Sequence, residues 1–271
     1  RTLVIGTHAL FQTGFNLERV GLIVIDEQHK FGVTQRDRLV KKGHYPHLLV
    51  MTATPIPRTL GLTLYGDLDS SVIDEMPAGR GEVRTHIRTS ERWPKILDFL
   101  KTELASGQQA FVVFPRVENE DPVGGIKAVN AEAQKLATAF APHTVAALHG
   151  RLKPEEKEAV MAGFRKNQTQ VLLATTVVEV GVDVPNATLM LIENAEQFGL
   201  AQLHQLRGRI GRGVHDSHCI LLTRGKSTEA NERLSVLAET NDGFKVAEAD
   251  LQLRGPGELV GQDQSGLPAF K

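Results

Sequence analysis

Short apolar runs that stop abruptly at polar residues constrain this chain more than any other feature. Thr2–Ile5, Gly21–Ile25, His47–Met51, Ala110–Phe114, Thr144–Leu148, Val171–Ala174, Thr188–Ile192 and His218–Thr223 are each four to six residues long. Runs this short and this continuous predict strands buried on both faces, the habit of parallel sheets. Amphipathic stretches separate them. Glu91–Ala105 places Trp93, Ile96, Leu97, Leu100 and Leu104 on one helical face. Asn130–Phe140, Pro154–Lys166, Leu200–Arg207 and Thr228–Glu239 read as further helices, with Pro154 suited to a first turn. The predicted class is α/β with parallel sheets.

The pattern restarts after a Pro/Gly/Arg-rich segment, so 271 residues are expected to hold two units. Residues 1–78 form the first, 79–90 a linker, 91–226 the second, and 227–271 a helical tail with a hairpin over Asp242–Gly266. The first unit has three strand candidates and little to cover a sheet, and its other half is expected before Arg1. The opening RTLVIGTHALF has neither an initiator Met nor a signal-peptide layout. No apolar run reaches the ~20 residues of a membrane span. The lone Cys219, inside SHCILLT, reads as a packed, inert thiol, consistent with a reducing cytoplasm. A net charge of −1 leaves no global basic field, so any nucleic-acid binding must be local.

Chemistry collects at the run ends. Leu22–Ile25 leads straight into Asp26-Glu27, two adjacent carboxylates where open α/β sheets bind ligands. Asp26 suits Mg²⁺, which takes a carboxylate or two plus phosphate oxygens, and Glu27 suits orientation of an attacking water. Solvated carboxylates opening a loop are the bland alternative. Thr52 and Thr54 flank Ala53 after the next run and could relay nucleotide state, or merely cap a turn.

In QLHQLRGRIGRG, Arg207, Arg209 and Arg212 are interleaved with Gly208 and Gly211. Guanidinium groups neutralise a transferring phosphoryl group. The competing reading is a solvated basic helix end. LLATTVVEVGVDVPNAT supplies Thr175 and Thr176 for backbone phosphates, then Asp183 to accept from a sugar hydroxyl or pair with an Arg. His149-Gly150 and Gly6-Thr7-His8 also end apolar runs and could meet phosphates, though each alone is more often a turn. A phosphate-cradling Gly-x-x-x-x-Gly-Lys-Ser/Thr does not occur in the chain.

Taken together, GTHALFQ, DEQHKFGVTQR, MTATPIPRTLGLTLYGDLD, ALHGRLKPEEKEAVMAGFR, ATTVVEVGVDVPNAT and QLHQLRGRIGRG resemble motifs Ib, II, III, IVa, V and VI of superfamily-two helicases, in that order. DGFKVAEADLQLRGPGELVGQDQSG resembles the translocation motif shared by the RecG family and the transcription-repair coupling factor, nearer the former. FVVFPRVENED departs from the family after its Pro. The resemblance implies two RecA-like P-loop NTPase lobes, the first truncated at its N-terminus, with ATP and Mg²⁺ as cofactors. It implies that Asp26 holds Mg²⁺ and Glu27 activates water. Gln205, Arg209 and Arg212, with Gly181 and Asp183, serve the nucleotide. His29, Thr52, Thr54, Arg254 and Gln262 couple hydrolysis to movement. Gly6, Thr7, His149, Gly150, Thr175 and Thr176 face DNA. The implied activity is remodelling of branched DNA, by fork reversal and junction branch migration, by a monomer that also meets single-stranded DNA-binding protein. Two other readings stay open: the helicase module of a transcription-repair coupling factor, and a nucleic-acid-binding piece that hydrolyses nothing by itself.

Overall fold

The structure, a computed structural model, describes residues 2–7, 10, 19–27, 46–52, 69–115 (apart from 74, 76 and 78), 133–174, 183–224 and 228–254. In the first unit β1 (Leu22–Ile25) and β2 (His47–Val50) pair in parallel, with Ile25 opposite Val50. Ile23 and Ile25 are buried while Leu22 and Val24 are exposed, the alternation of a pleated strand. The strand expected at Thr2–Ile5 does not form. Leu3 and Ile5 stand in solvent, and among the described residues the run has no strand beside it to form a ladder.

The second unit is a six-stranded, all-parallel sheet. Its strands are β3 (Val83–Thr89), β4 (Gln109–Val113), β5 (Val145–Leu148), β6 (Val171–Ala174), β7 (Ala187–Ile192) and β8 (Ser217–Thr223), in the order β3-β8-β7-β4-β6-β5. Its helices are α1 (Trp93–Ala105), α2 (133–140), α3 (Pro154–Arg165), α4 (Leu200–Arg207), α5 (Thr228–Glu239) and α6 (Gly243–Arg254). Central β4 is buried along its whole length, and its alternate residues serve two cores. Ala110 and Val112 join Ile96, Leu100 and Leu104 of α1 with Leu136 and Phe140 of α2. Phe111 and Val113 join Phe164 of α3, Leu203 and Leu206 of α4, Leu237 of α5 and Val246 of α6. Helices on both faces explain why these strands read as unbroken apolar runs.

The expected linker is largely a strand. Val83–Thr89 pairs with β8 from Val83–Ser217 to Thr89–Thr223. Val83 and Ile87 pack on the α4–α5 core, while Arg84, His86 and Arg88 alternate with them. An edge strand tolerates such charges on its other face. The tail begins with helices α5 and α6, as expected of a segment without strand character, and α6 packs on α4 and α5. The rest of the expected hairpin lies outside the described residues.

Candidate functional site

At the end of β1 the chain turns sharply. Glu27 takes φ 53, a left-handed conformation rare for a residue with a long side chain, and its N–H donates to Asp26 Oδ1 at 2.9 Å. Such strain, on the order of 1 kcal/mol or more, is characteristic of functional turns. The Met51 N–H donates to the Ile25 carbonyl at 2.8 Å, extending the ladder by one rung. Thr52 therefore follows β2 beside the Asp26-Glu27 turn. Asp26 is exposed and Glu27 half-buried. An accessible carboxylate at a strand end fits Mg²⁺, which keeps waters and phosphate oxygens as its other ligands. His29 and Thr54 lie outside the described residues. Gly6 and Thr7 are exposed, and the Thr7 carbonyl accepts from the Leu10 N–H at 3.0 Å.

The three arginines of the second unit separate into different roles. Arg207 is only 4% exposed. Its guanidinium donates to the carbonyls of Leu237 and Thr240, the latter at 2.9 Å, and to Thr85 Oγ1 at 3.3 Å. It also meets His204 Nδ1 at 3.0 Å. Burial lowers the pKa of Arg207. Burial, then the Arg207 charge, lowers that of His204 to about 4, so the imidazole is neutral and accepts. Arg207 is thus internal scaffolding and not part of a phosphate-facing arginine set. Cys219, fully buried near Arg207, has its thiol pushed up to about 12, as expected of a packed, inert sulfur.

Arg209 and Arg212 lie past the end of α4. Arg212 Nε donates to the Gly208 carbonyl at 3.2 Å, and its NH1 pairs with Asp183 at 3.8 Å. Asp183 therefore uses the arginine-pairing option open to it in the sequence. Gln205 is half-buried on α4 and Arg209 half-buried just beyond it. Gly211 makes the turn between Arg209 and Arg212 possible. It has φ 71, and a Cβ there would lie 2.3 Å from Val83 Cγ2. Gly208 has ordinary helical angles and merely ends α4. Gly181 lies outside the described residues. Asp183 precedes β7, and Arg209 and Arg212 precede β8, so this cluster sits at the amino end of the sheet.

His149 and Gly150 lie at the opposite, carboxyl end, after β5. Lys157 Nζ of α3 donates to the Gly150 carbonyl at 2.9 Å, and the Leu152 N–H donates to the His149 carbonyl at 3.2 Å. These bonds hold the His-Gly turn. Nδ1 of His149 is buried without a hydrogen-bond partner among the described residues. Thr175 and Thr176, which follow neighbouring β6, lie outside them, as do Gln262 and the side chain of Arg254. Lys157 and Arg207 are the residues whose part the sequence did not disclose, because each acts on backbone carbonyls, which carry no side-chain signal.

Known proteins match the chain almost end to end. Residues 91–214 match the helicase conserved C-terminal domain family, and residues 240–271 match the ATP-dependent DNA helicase RecG, domain 3, C-terminal family. The ATP-dependent DNA helicase RecG of Synechocystis is 54% identical over 269 residues, covering 99% of this chain and 32% of that protein. The Bacillus subtilis protein of the same name is 48% identical, over 99% of this chain and 39% of that protein. The chain therefore spans about a third to two fifths of the length of these relatives. The solved structure of RecG bound to a three-way DNA junction superposes with a TM-score of 0.75 at 46% identity, over 98% of this chain and 34% of that one. The α/β class agrees with these matches, which identify the chain as a C-terminal piece of a RecG-family protein.

Proposed function

We propose that this chain supplies the second motor lobe, and the water-activating edge of the first, to an ATP-dependent helicase that translocates on duplex DNA and remodels branched junctions. The observation that carries the reading is the pairing of β1 with β2, which sets Asp26-Glu27 beside Thr52 at the ends of two parallel strands. Asp26 holds the Mg²⁺ that accompanies ATP, and that ion neutralises phosphate charge when bound. Glu27 orients the attacking water and takes its proton. Arg209 and Arg212, with Gln205, meet the triphosphate, and Arg212 exchanges its Asp183 partner for phosphate oxygens. Gly181 and Asp183 border the nucleotide. His149, Gly150, Thr175, Thr176, Gly6 and Thr7 track the DNA backbone, and His29, Thr52, Thr54, Arg254 and Gln262 link hydrolysis to movement. We place the protein in the cytoplasm as a monomer, meeting forks, four-way junctions and single-stranded DNA-binding protein. No described helix is long and apolar enough to cross a membrane.

The test is junction-stimulated ATP hydrolysis and unwinding by the full protein that carries this chain, with Glu27→Gln alongside. The substitution keeps size and hydrogen bonding but removes the base, so hydrolysis should fall by about 10²–10⁴-fold. Binding of a non-hydrolysable ATP analogue should hold. If affinity and rate fall equally, Glu27 is structural or a metal ligand, and its assignment to water fails.

A further inference from the structure

We infer that Arg207 is a positioning residue that ties the arginine loop to the tail helices, so that nucleotide state read by Arg209 and Arg212 moves α5 and α6. The inference rests on the helicase reading above and assigns a residue that lies between its two parts. The guanidinium is buried, and the partners it has among the described residues are carbonyls, a hydroxyl and an imidazole, without a carboxylate. A buried cation held this way needs an oriented dipole, and the C-terminal end of α5 supplies one. The Leu237 and Thr240 carbonyls are among those left unsatisfied where a helix ends. Arg207 therefore caps α5 from a different helix.

What it caps is the junction between α5 and α6. Asn241 Nδ2 donates to the Val83 carbonyl at 3.0 Å, fixing the same junction to β3. Asp242 Oδ1 accepts from the Phe244 N–H at 2.8 Å, opening α6. Val246 is then driven into the core beside α4. On the other side, Arg207 is the last residue of α4, and only Gly208 separates it from Arg209. The Arg212 bond to the Gly208 carbonyl closes the loop back onto that helix end. A shift of Arg209 and Arg212 toward phosphate pulls on the end of α4, and the cap transmits the pull to the start of α6. A lysine keeps the charge but has one nitrogen, so it cannot hold the Leu237 and Thr240 carbonyls at the end of α5 and His204 Nδ1 on α4 at once, as NH1 and NH2 of Arg207 do.

The experiment uses the full protein on a three-way junction. Arg207→Lys is expected to keep DNA-stimulated ATP hydrolysis within about twofold while unwinding falls about tenfold, with KM for ATP unchanged. Arg209→Ala is the reference, since it should lose hydrolysis itself. If Arg209→Ala hydrolyses normally, the helicase assignment of the loop fails, whatever Arg207 does. If Arg207→Lys lowers both rates in proportion, or changes neither, the coupling role is overturned and the helicase reading stands. A second measurement needs no variant. Amide hydrogen exchange over residues 237–250 in the unmodified protein should change on adding a non-hydrolysable ATP analogue, and an unchanged pattern would overturn the inference even if Arg207→Lys fails to fold.

Discussion

Among single residues, His204 carries the clearest pH dependence. Its Nδ1 receives the Arg207 guanidinium, so a proton there removes an acceptor and adds a like charge beside a buried cation. The folded state keeps the imidazole neutral down to about pH 4, whereas the unfolded chain protonates it near its ordinary 6.5. Between those values the unfolded state binds more protons, so stability is present above about pH 6.5 and is lost as pH falls toward 4. The loss from this group is on the order of 2 kcal/mol. Thermal melts from pH 7 to pH 4.5 should show it, and His204→Gln, which keeps an acceptor but does not titrate, should flatten part of the slope. An unchanged slope in the variant would mean that other groups set the acid sensitivity. The separation of Arg207 from Arg209 and Arg212 belongs to the same scale and was not legible in the sequence. Spacing along QLRGRIGR says where side chains lie only while the helix continues, and α4 ends at Arg207. The positive φ of Gly211 then swings Arg212 back over the helix end.

At the level of elements, the buried strands were legible because both their faces are covered. AFVV and VLLA, buried along their whole length in β4 and β6, read as they fold. The edge strand β3 was not, because it has one neighbour and alternates Arg84, His86 and Arg88 with Val83, Thr85 and Ile87. Its charges and the nearby Pro and Gly look like a linker, and only its pairing with β8 makes it a strand. Thr2–Ile5 misled in the opposite direction, since apolar character alone does not provide a partner. The packing of β3 on the arginine loop makes a prediction. Gly211→Ala adds a methyl 2.3 Å from Val83 Cγ2 at a backbone φ of 71. Together the clash and the left-handed backbone should cost about 2–3 kcal/mol. Gly107→Ala has a similar backbone handicap, φ 95, but nothing within 4 Å, so its cost should be nearer 1 kcal/mol. Denaturant titration of both variants checks the ordering. Equal losses would show that β3 gives way, and that the loop is not wedged against it.

For the molecule as a whole, the second sheet divides its candidate chemistry between its two ends. Asp183, Arg209 and Arg212 stand before strands, and His149 and Gly150 after one, separated by a strand length of about 15–20 Å at 3.3 Å per residue. A parallel sheet packed on both faces is stiff, so it passes a displacement on as one body and does not absorb it locally. Coupling between nucleotide and DNA is therefore better carried by rigid movement of the whole unit and its attached tail helices. The same arrangement decides what this chain can do alone. On the proposed reading it holds Glu27 for the water, Asp26 for the metal, and Arg209 and Arg212 for phosphate. None of its 271 residues forms the Gly-x-x-x-x-Gly-Lys loop whose backbone amides and lysine grip the β- and γ-phosphates. Positioning supplies most of the rate in phosphoryl transfer, up to about 7–11 kcal/mol where geometry is well held. Without that grip the γ-phosphate has no fixed place relative to Glu27. The purified 271-residue chain should therefore hydrolyse ATP at less than about 1% of the full protein's junction-stimulated rate, since each 1.36 kcal/mol of lost positioning is tenfold. A phosphate-release assay on both proteins, with and without three-way junction DNA, makes the comparison. Robust junction-stimulated release by the isolated chain would mean that a different set of its residues holds the triphosphate, and the assignments of Asp26, Glu27, Arg209 and Arg212 would have to be redrawn around that set.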